Sequence, residues 1–166
     1  MNLLIKNRSL TTKEIDLLQQ EIANSPDITL FPKRRWKNFN IIFVATHKKE
    51  LVGVCAVVAL GNWKKLGPLI VLKKYHGKKC GTKLLNHAVN NIKHHSLFIG
   101  SSNPRVWSII SKLGFNQSKY LKLPKEVKQY FFRYIIENFS YLFITDAIKK
   151  KLLHKRGVYK TFIRCL

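Results

Sequence analysis

The sequence predicts an α/β (α+β) fold: a mixed, mostly antiparallel sheet of six or seven strands, flanking helices, and a helical insertion before the last strand. Three observations lead to this prediction. Apolar, β-branched segments alternate with segments of helical periodicity. A polar connector of hairpin length, His47 to Glu50, separates two of the apolar segments, and an aromatic-rich segment after Pro124 then breaks the alternation. Two separate cores would each have only about 80 residues, so we expect one domain over residues 1–166.

The first half of the chain contains a helix with a clear start and end. Thr11 and Glu14 form a capping box, and the sequence Ser25-Pro26-Asp27 predicts the helix to end at Asn24. The basic, aromatic segment 31–36 is predicted to be a loop or a short helix. Strands are predicted at residues 2–6, 41–46 and 51–60, and the last two should pair antiparallel.

In the second half, helices and strands alternate again before the insertion. Apolar spacing predicts a helix over residues 82–92, and a further helix over 103–113 should end before Gly114. Seven of the 19 aromatic residues fall within residues 130–143, which predicts one or two helices in an insertion over residues 124–155. Strands are predicted at residues 69–72, 97–99, 115–123 and 158–163.

Charge and composition limit the classes of partner. Lys and Arg number 31 against 8 Asp and Glu, which gives a formal net charge of +23. A field of this sign attracts polyanions such as RNA or a ribonucleoprotein and repels free cations. The chain is also 46% hydrophobic, which excludes disorder for most of it.

Further features of the sequence bear on location and on metals. Three cysteines are too few for a disulfide framework, and the N-terminus lacks the features of a signal peptide, so a cytoplasmic location is expected. Arg133, Glu137 and Asp146 interrupt the apolar segment 130–148, so no transmembrane segment is expected. No Cys/His spacing resembles a zinc site, and no metal is expected.

One segment of the chain is suited to binding phosphate. It consists of a strand at 69–71, the loop His76-Gly77-Lys78-Lys79-Cys80-Gly81, and a helix from Thr82. The first N–H groups of a helix have no internal partner, and the helix dipole adds partial positive charge there, so such a segment can hold a diphosphate. Gly77 and Gly81 permit close approach of the backbone. Taken alone, the segment also fits an ordinary strand-to-helix turn.

A second element follows at Asn103, where a helix begins that leads to Lys112-Leu113-Gly114-Phe115. With the loop at 76–81, it resembles the GNAT-type N-acetyltransferase family. That family has a glycine-containing cofactor loop after a strand, and later an Asn followed by a helix that ends in Lys-x-Gly-Phe. The resemblance covers about residues 2–123, with the last strand displaced to about 158–165, and the order of the elements is more specific than either motif.

The resemblance implies acetyl-CoA as the acyl donor and direct transfer to an amine in a ternary complex. The family's sheet splays at the strand 69–71, so the backbone there would meet the pantetheine arm. Residues 77–82 would bind the diphosphate, and Asn103 would lie beside the cofactor. The implied cofactor-binding residues are Leu69, Ile70, Val71, His76, Gly77, Lys78, Lys79, Cys80, Gly81, Thr82 and Asn103.

The sequence departs from the family pattern at several positions. His76 replaces the usual Gln or Arg, and Lys79 stands where the loop normally has Gly. Ile110 occupies the position at which the family often has a Tyr as general acid, and residues 51–125 contain no carboxylate. The base could be water, a histidine, a remote carboxylate such as Glu21 or Asp27, or absent. The catalytic residues are therefore unknown at this point.

The positive charge indicates the class of acceptor. An amine must be neutral to attack a thioester, and nearby cations lower the pKa of an amine. Free cationic amines would be repelled, whereas an amine on a polyanion, such as aminoacyl-tRNA or a ribosomal protein on rRNA, would be attracted. Arg34, Arg35 and Trp36 are candidate acceptor-binding residues, because an aromatic ring beside cations can stack on a base.

Two other functions stay open. A degenerate member of the family could keep the fold and bind nucleic acid or a protein partner, and an active member could acetylate small-molecule amines. The aromatic insertion is expected to cover the end of the sheet or the acceptor cleft. Its alternative role is a surface for a partner or for a homodimer.

Overall fold

The computed structural model describes residues 2–139, 141–152 and 157–166. The seven strands are β1 (Leu4–Asn7), β2 (Ile41–His47), β3 (Glu50–Leu60), β4 (Trp63–Val71), β5 (Ser96–Ser101), β6 (Asn116–Ser118) and β7 (Lys160–Arg164). The five α-helices are α1 (Thr12–Asn24), α2 (Cys80–Asn91), α3 (Pro104–Lys112), α4 (Lys125–Asn138) and α5 (Tyr141–Leu152). Short 3₁₀ helices cover Lys33–Asn38, Lys73–Tyr75 and Tyr120–Lys122.

The strands form one sheet in the order β1-β2-β3-β4-β5-β7-β6. Strands β4 and β5 are parallel, and every other neighbouring pair is antiparallel. Helices α4 and α5 precede β7 in the chain. The predicted fold class is confirmed: the sheet is mixed and mostly antiparallel, it has seven strands, and a helical insertion comes before the last strand.

The start of α1 has the predicted capping box. The Glu14 amide donates to Thr11 Oγ1 at 3.3 Å, and the Thr11 amide donates to Glu14 Oε2 at 2.9 Å. Arg8 pairs with the same carboxylate at 2.6 Å, and this hydrogen bond lowers the pKa of Glu14. Two N–H groups at the helix start are thereby satisfied by local sequence alone. Leu18 and Ile22 of this helix lie fully buried in the core.

The sheet separates between β4 and β5. These two strands pair from Trp63 to Leu66 of β4, opposite residues 96–99 of β5. Beyond Leu66, the segment from Leu69 to Val71 pairs only with β3. Among the described residues, the side of β4 that faces β5 is therefore without a strand partner over residues 69–71, as the family resemblance implied.

Several predicted element boundaries differ from the structure. The strand predicted at 115–123 is restricted to Asn116–Ser118 and is followed by a 3₁₀ turn, because its sole partner β7 begins at Lys160, opposite Ser101 of β5. Helix α2 begins at Cys80 rather than at residue 82, and β4 begins at Trp63 rather than at residue 69. The last strand covers Lys160–Arg164, within the predicted 158–165.

The insertion contains α4 and α5, which hold six of the seven aromatic residues of the segment 130–143, and Phe139 lies between the two helices. Residue 140 and residues 153–155 of the predicted insertion lie outside the described residues. Helix α5 is attached to the chain that follows α1 through Lys150, whose side chain is 1% exposed. Lys150 Nζ donates to the carbonyls of Ile22 at 2.7 Å and Ile28 at 2.6 Å, and lies 3.0 Å from Asp146 Oδ2.

Within the described residues, none of the helices has the length and apolarity needed to cross a membrane.

Candidate active site

A cleft of about 890 Å³ opens where β4 and β5 separate. One wall is the segment 69–71 of β4, and the opposite wall is formed by the end of β5 and the start of α3. The beginning of α2 lies at one end, and aromatic residues of α4 lie at the other. One continuous cavity thus reaches from the predicted phosphate-binding loop to the insertion.

The N-terminus of α2 is open toward this cleft. Lys79 is the N-cap, its side chain makes no capping hydrogen bond, and the first intrahelical bond runs from the Lys83 amide to the Lys79 carbonyl at 3.1 Å. The amides of Cys80, Gly81 and Thr82 therefore have no acceptor within the helix. These three residues line the cleft. Amides and helix dipole together provide an anion-binding position there.

The conformation of the loop explains part of its sequence. Gly77 has φ +76°, in the left-handed region that glycine tolerates. Lys79 has φ +57° without being glycine, which costs about 1 kcal/mol. A Cβ at Gly81 would lie 3.5 Å from Val71 Cγ2, which is ordinary contact. A small side chain thus fits at residue 81, and the strained position of this loop is residue 79.

His76 fixes the loop to β4. Its Nε2 atom donates to the Val71 carbonyl at 2.7 Å and lies 4.0 Å from Glu21 Oε1. Glu21 Oε2 accepts the Lys73 amide at 3.0 Å. The resemblance assigned the Val71 carbonyl to the pantetheine arm. The hydrogen bond from His76 occupies one of the two lone pairs of this carbonyl. His76 therefore orients the end of β4 in addition to lining the cleft.

Asn103 stands at the start of α3 and contacts a carboxylate. Its Oδ1 atom accepts the Arg105 amide at 2.9 Å as an N-cap, and its Nδ2 atom donates to Asp27 Oδ2 at 2.7 Å. Ser102 Oγ lies 3.2 Å from Asp27 Oδ1. Asp27 lines the cleft, as does Glu21, so both remote carboxylates considered as bases reach it.

Most of the predicted cofactor-binding residues are brought together at this cleft. They are Leu69, Ile70, Val71, His76, Gly77, Lys79, Cys80, Gly81, Thr82 and Asn103. Lys78 is the exception: its Nζ atom lies 5.5 Å from the centre of the Tyr75 ring, outside the cleft lining. Nothing in the sequence distinguished Lys78 from its neighbours, because side-chain direction within the loop depends on φ at residues 77 and 79.

The predicted acceptor-binding trio is divided by the structure. Arg35 is 7% exposed and lines the cleft, whereas Arg34 is exposed and outside it. Trp36 is 3% exposed and packs at 5.5 Å from the rings of both Phe31 and Phe39. The expectation that Trp36 stacks on a substrate base is wrong, because core packing buries its ring.

Lys65 and Tyr130 are among the cleft residues that the sequence did not identify. Arg35 Nη2 donates to the Tyr130 hydroxyl at 3.1 Å, and its guanidinium lies 4.4 Å from the centre of the Tyr134 ring. Lys65 Nζ donates to the Gly67 carbonyl at 3.0 Å and lies 5.3 Å from the centre of the Tyr130 ring. The high density of aromatic residues in the insertion was the one sequence feature that could have identified Tyr130. No sequence feature identified Lys65.

Burial shifts the pKa of several groups in the cleft. It lowers the pKa of Lys65 to about 8, and the neighbouring Arg35 acts in the same direction. Burial likewise raises the pKa of the Tyr130 phenol and raises the pKa of the Cys55 thiol to about 12. The interior end of the cleft is therefore desolvated and electropositive.

Residue 110, where the resemblance implies a tyrosine as general acid, is an isoleucine. Ile110 is fully buried in the core and outside the cleft lining. Four phenols line the cleft instead: Tyr75, Tyr130, Tyr134 and Tyr159. The hydroxyl of Tyr75 donates to Glu50 at 3.0 Å. Among the described residues, no group of three His, Cys, Asp or Glu side chains could hold a metal ion.

Comparisons with known proteins agree with this geometry. The model of the acetyltransferase (GNAT) domain family matches residues 38–117, which include β4, the loop and α2. The structure is similar to that of N-acetylglutamate synthase from Neisseria gonorrhoeae complexed with coenzyme A and N-acetyl-glutamate, with a TM-score of 0.69 and 15% identity. That match covers 99% of this chain but 35% of the synthase, so the chain spans about a third of its length.

Two smaller relatives show the same fold. The ribosomal-protein-S18-alanine N-acetyltransferase from Escherichia coli has a TM-score of 0.59 and 13% identity, over 96% of this chain and 91% of that one. The IAA acetyltransferase from Bacillus cereus ATCC 14579 has a TM-score of 0.56 and 21% identity, over 71% and 79%. No curated protein sequence matches significantly. The family model and these structures together support a GNAT-type acetyltransferase domain in this chain.

Proposed function

We propose that the chain transfers an acetyl group from acetyl-CoA to an amine on an anionic acceptor, by direct attack in a ternary complex. The supporting observation is the single cleft that joins the open N-terminus of α2, the unpartnered side of β4 and a buried cationic end. The helix start attracts the diphosphate, the free strand side offers hydrogen bonds, and the interior end receives the acceptor.

In this proposal, the amides of Cys80, Gly81 and Thr82 hold the diphosphate, and Leu69 to Val71 offer backbone groups to the pantetheine arm. Asn103 lies beside the cofactor. Its side-chain oxygen and nitrogen already bind Arg105 and Asp27, so its contribution to the cofactor is chiefly to hold the start of α3 in place.

The chemical step needs a neutral amine. The amine nitrogen attacks the thioester carbonyl, the tetrahedral intermediate collapses with loss of the coenzyme A thiolate, and the amine loses a proton to water or to a carboxylate at the cleft. Asp27 and Glu21 are the candidate carboxylates. The electropositive end of the cleft lowers the pKa of the bound amine and so supplies part of the activation.

Direct transfer is favoured over a covalent enzyme intermediate by the state of Cys55. This thiol lines the cleft, but burial raises its pKa to about 12. Since the thiolate is the nucleophilic form, Cys55 is almost entirely unreactive at neutral pH. The rate enhancement would then depend mainly on alignment of amine and thioester, which supplies roughly 7 to 11 kcal/mol in well-oriented systems.

We further propose that the acceptor is macromolecular and anionic overall, such as an RNA-linked or ribosomal amine encountered in the cytoplasm. The net charge of +23 supports long-range attraction of such molecules. Lys73, Lys79 and Arg105 line the cleft and give that attraction a direction toward the site. Acetyl transfer to tRNA or ribosomes should then fall as salt rises, and salt-insensitive turnover would contradict this acceptor class.

A small-molecule amine is the second candidate acceptor. It is favoured by the enclosure of the interior end, where Tyr130 and Tyr134 of α4 cover the cleft. A large acceptor must then extend a single amine past these rings. Faster turnover on free amines than on RNA-linked or ribosomal amines would select the small-molecule function.

Calorimetry with acetyl-CoA tests the enzymatic function before any acceptor is known. We expect micromolar binding by the natural chain, loss of binding in Gly81→Trp, and retention in Gly81→Ala, because a single Cβ at residue 81 meets only ordinary contact. A screen of acetyl-CoA consumption against tRNA, ribosomes and small amines then identifies the acceptor. Absence of acetyl-CoA binding would instead favour a module that binds nucleic acid or a partner.

A further inference from the structure

Arg35 has a hydrogen-bonding atom that is buried and unused. Its Nη2 atom donates to Tyr130, but among the described residues Nη1 has no hydrogen-bond partner. Nη1 forms an ion pair with Glu137, whose Oε2 atom lies 3.6 Å away, beyond hydrogen-bond distance. The Glu137 side chain is 47% exposed. Buried N–H groups of a guanidinium are normally satisfied, so this one indicates an absent acceptor of hydrogen bonds.

Lys65 brings a second cation to the same place. It projects from β4 into the cleft, and within the described parts of the chain it forms no ion pair with a carboxylate. Its ammonium is held by the Gly67 carbonyl and by the face of Tyr130. An ammonium has three hydrogens to donate, and its one protein hydrogen bond leaves two for a ligand.

Tyr130 connects these two cations. Its hydroxyl accepts a hydrogen bond from Arg35, and the ammonium group of Lys65 lies over its ring. A phenol that accepts a hydrogen bond still has its own hydrogen to donate. Donors from the 3₁₀ helix before β2, from β4 and from α4 therefore converge on the interior end of the cleft.

We propose that Arg35, Lys65 and Tyr130 bind an oxyanion of the acceptor, a carboxylate or a phosphate, a few bonds away from the reacting amine. This inference rests on the proposed function and names a chemical feature of its acceptor. The guanidinium fork and the phenol match the planar or tetrahedral arrangement of such oxygens, and the anion would balance part of the positive charge of buried Arg35 and partly buried Lys65. Binding of the anion at this end positions the amine toward the unpartnered side of β4.

The test compares acceptors that differ only in the anion. The probes are the common amino acids against their C-terminal amides, and O-phosphoethanolamine against ethanolamine, at constant ionic strength with saturating acetyl-CoA. We expect kcat/KM for an anion-bearing probe to exceed that of its partner without the anion by at least about tenfold. Preference within the first pair identifies a carboxylate, and preference within the second a phosphate.

Variants connect this preference to the three residues. Arg35→Gln and Lys65→Met should abolish it, and Tyr130→Phe should reduce it about fivefold, because one hydrogen bond is lost. Arg133→Gln, Lys64→Met and Tyr120→Phe remove the same groups from outside the cleft and should retain the preference. If a thermal melt shows that Arg35→Gln does not fold, Tyr130→Phe tests the oxyanion site instead, because this variant removes a single oxygen atom.

The outcomes separate this inference from the function beneath it. Acetylation of probes with and without the anion at equal rates would overturn the oxyanion site and leave the acetyltransferase function intact. Acetylation of amines that lack an anion, without acetylation of any anion-bearing probe, would do the same. Failure to bind acetyl-CoA in calorimetry would overturn the proposed function, and the inference with it.

Discussion

Lys150 Nζ donates to the Ile28 carbonyl at 2.6 Å, across 122 positions of sequence. Asp146, one turn earlier in α5, accepts the Leu30 amide at 2.7 Å and pairs with Lys150 at 3.0 Å. The insertion is thereby joined to the chain segment that follows α1. Because Ile28 lines the cleft, the position of α5 and the shape of the cleft wall depend on one buried ion pair.

Replacement of Lys150 should therefore destabilise the protein strongly. In Lys150→Met, Asp146 loses its cation, and the carbonyls of Ile22 and Ile28 lose a donor. Loss of one partner of a buried pair typically costs about 3 to 5 kcal/mol. Urea unfolding measures the change, and Lys151→Met on the exposed side of α5 should change the free energy of unfolding by less than about 0.5 kcal/mol. Equal stability of the two variants would contradict the burial of Lys150.

Lys79 should be the position at which glycine improves the loop. Its φ of +57° favours glycine, so Lys79→Gly should be about 1 kcal/mol more stable than Lys79→Ala. The two variants remove the same charge and differ only in the Cβ. Thermal melting of the pair isolates the backbone effect. An alanine variant as stable as the glycine variant would mean that residue 79 is not left-handed in solution.

Gly53 should tolerate no side chain. A Cβ there would lie 2.3 Å from the Ile70 carbonyl oxygen, a backbone atom that cannot move without separating β3 from β4. Gly53→Ala should lower stability by roughly 1 to 3 kcal/mol and weaken acetyl-CoA binding, because Ile70 belongs to the segment 69–71. Chemical denaturation and calorimetry measure the two effects. Gly81→Ala is the matched control, and an equal loss in that variant would contradict the close approach at Gly53.

The depressed pKa of Lys65 predicts a dependence of stability on pH. Its pKa is about 8 in the folded protein and about 10.4 in an unfolded chain, so between these values the unfolded state binds more protons. Stability should consequently rise with pH across this window, by about 3 kcal/mol at most from this group. The rise should be absent in Lys65→Met and present in Lys64→Met when urea unfolding is measured from pH 7 to 11. A parallel pH dependence in both variants would show that Lys65 remains hydrated.

The sequence identified the features that depend on neighbours a few positions away. The capping box at Thr11, the start of a helix at Asn103 and the end of that helix before Gly114 all appear in the structure where the sequence put them. Capping and turn chemistry act within about four residues. Ten of the eleven cofactor-binding residues that the resemblance implied line one cleft in the structure, and their binding of the cofactor stays a prediction.

The sequence alone determined a GNAT-like α/β fold and the place of the helix that we propose binds the diphosphate, because periodicity and loop chemistry are local. The tertiary structure decided which cations face the cleft. Arg34, Arg35 and Trp36 are adjacent, yet one is exposed, one lines the cleft and one is buried in the core. Tyr130 meets Arg35 from 95 positions away. Such contacts follow from how α4 packs over the sheet, and no pattern within one segment contains that information.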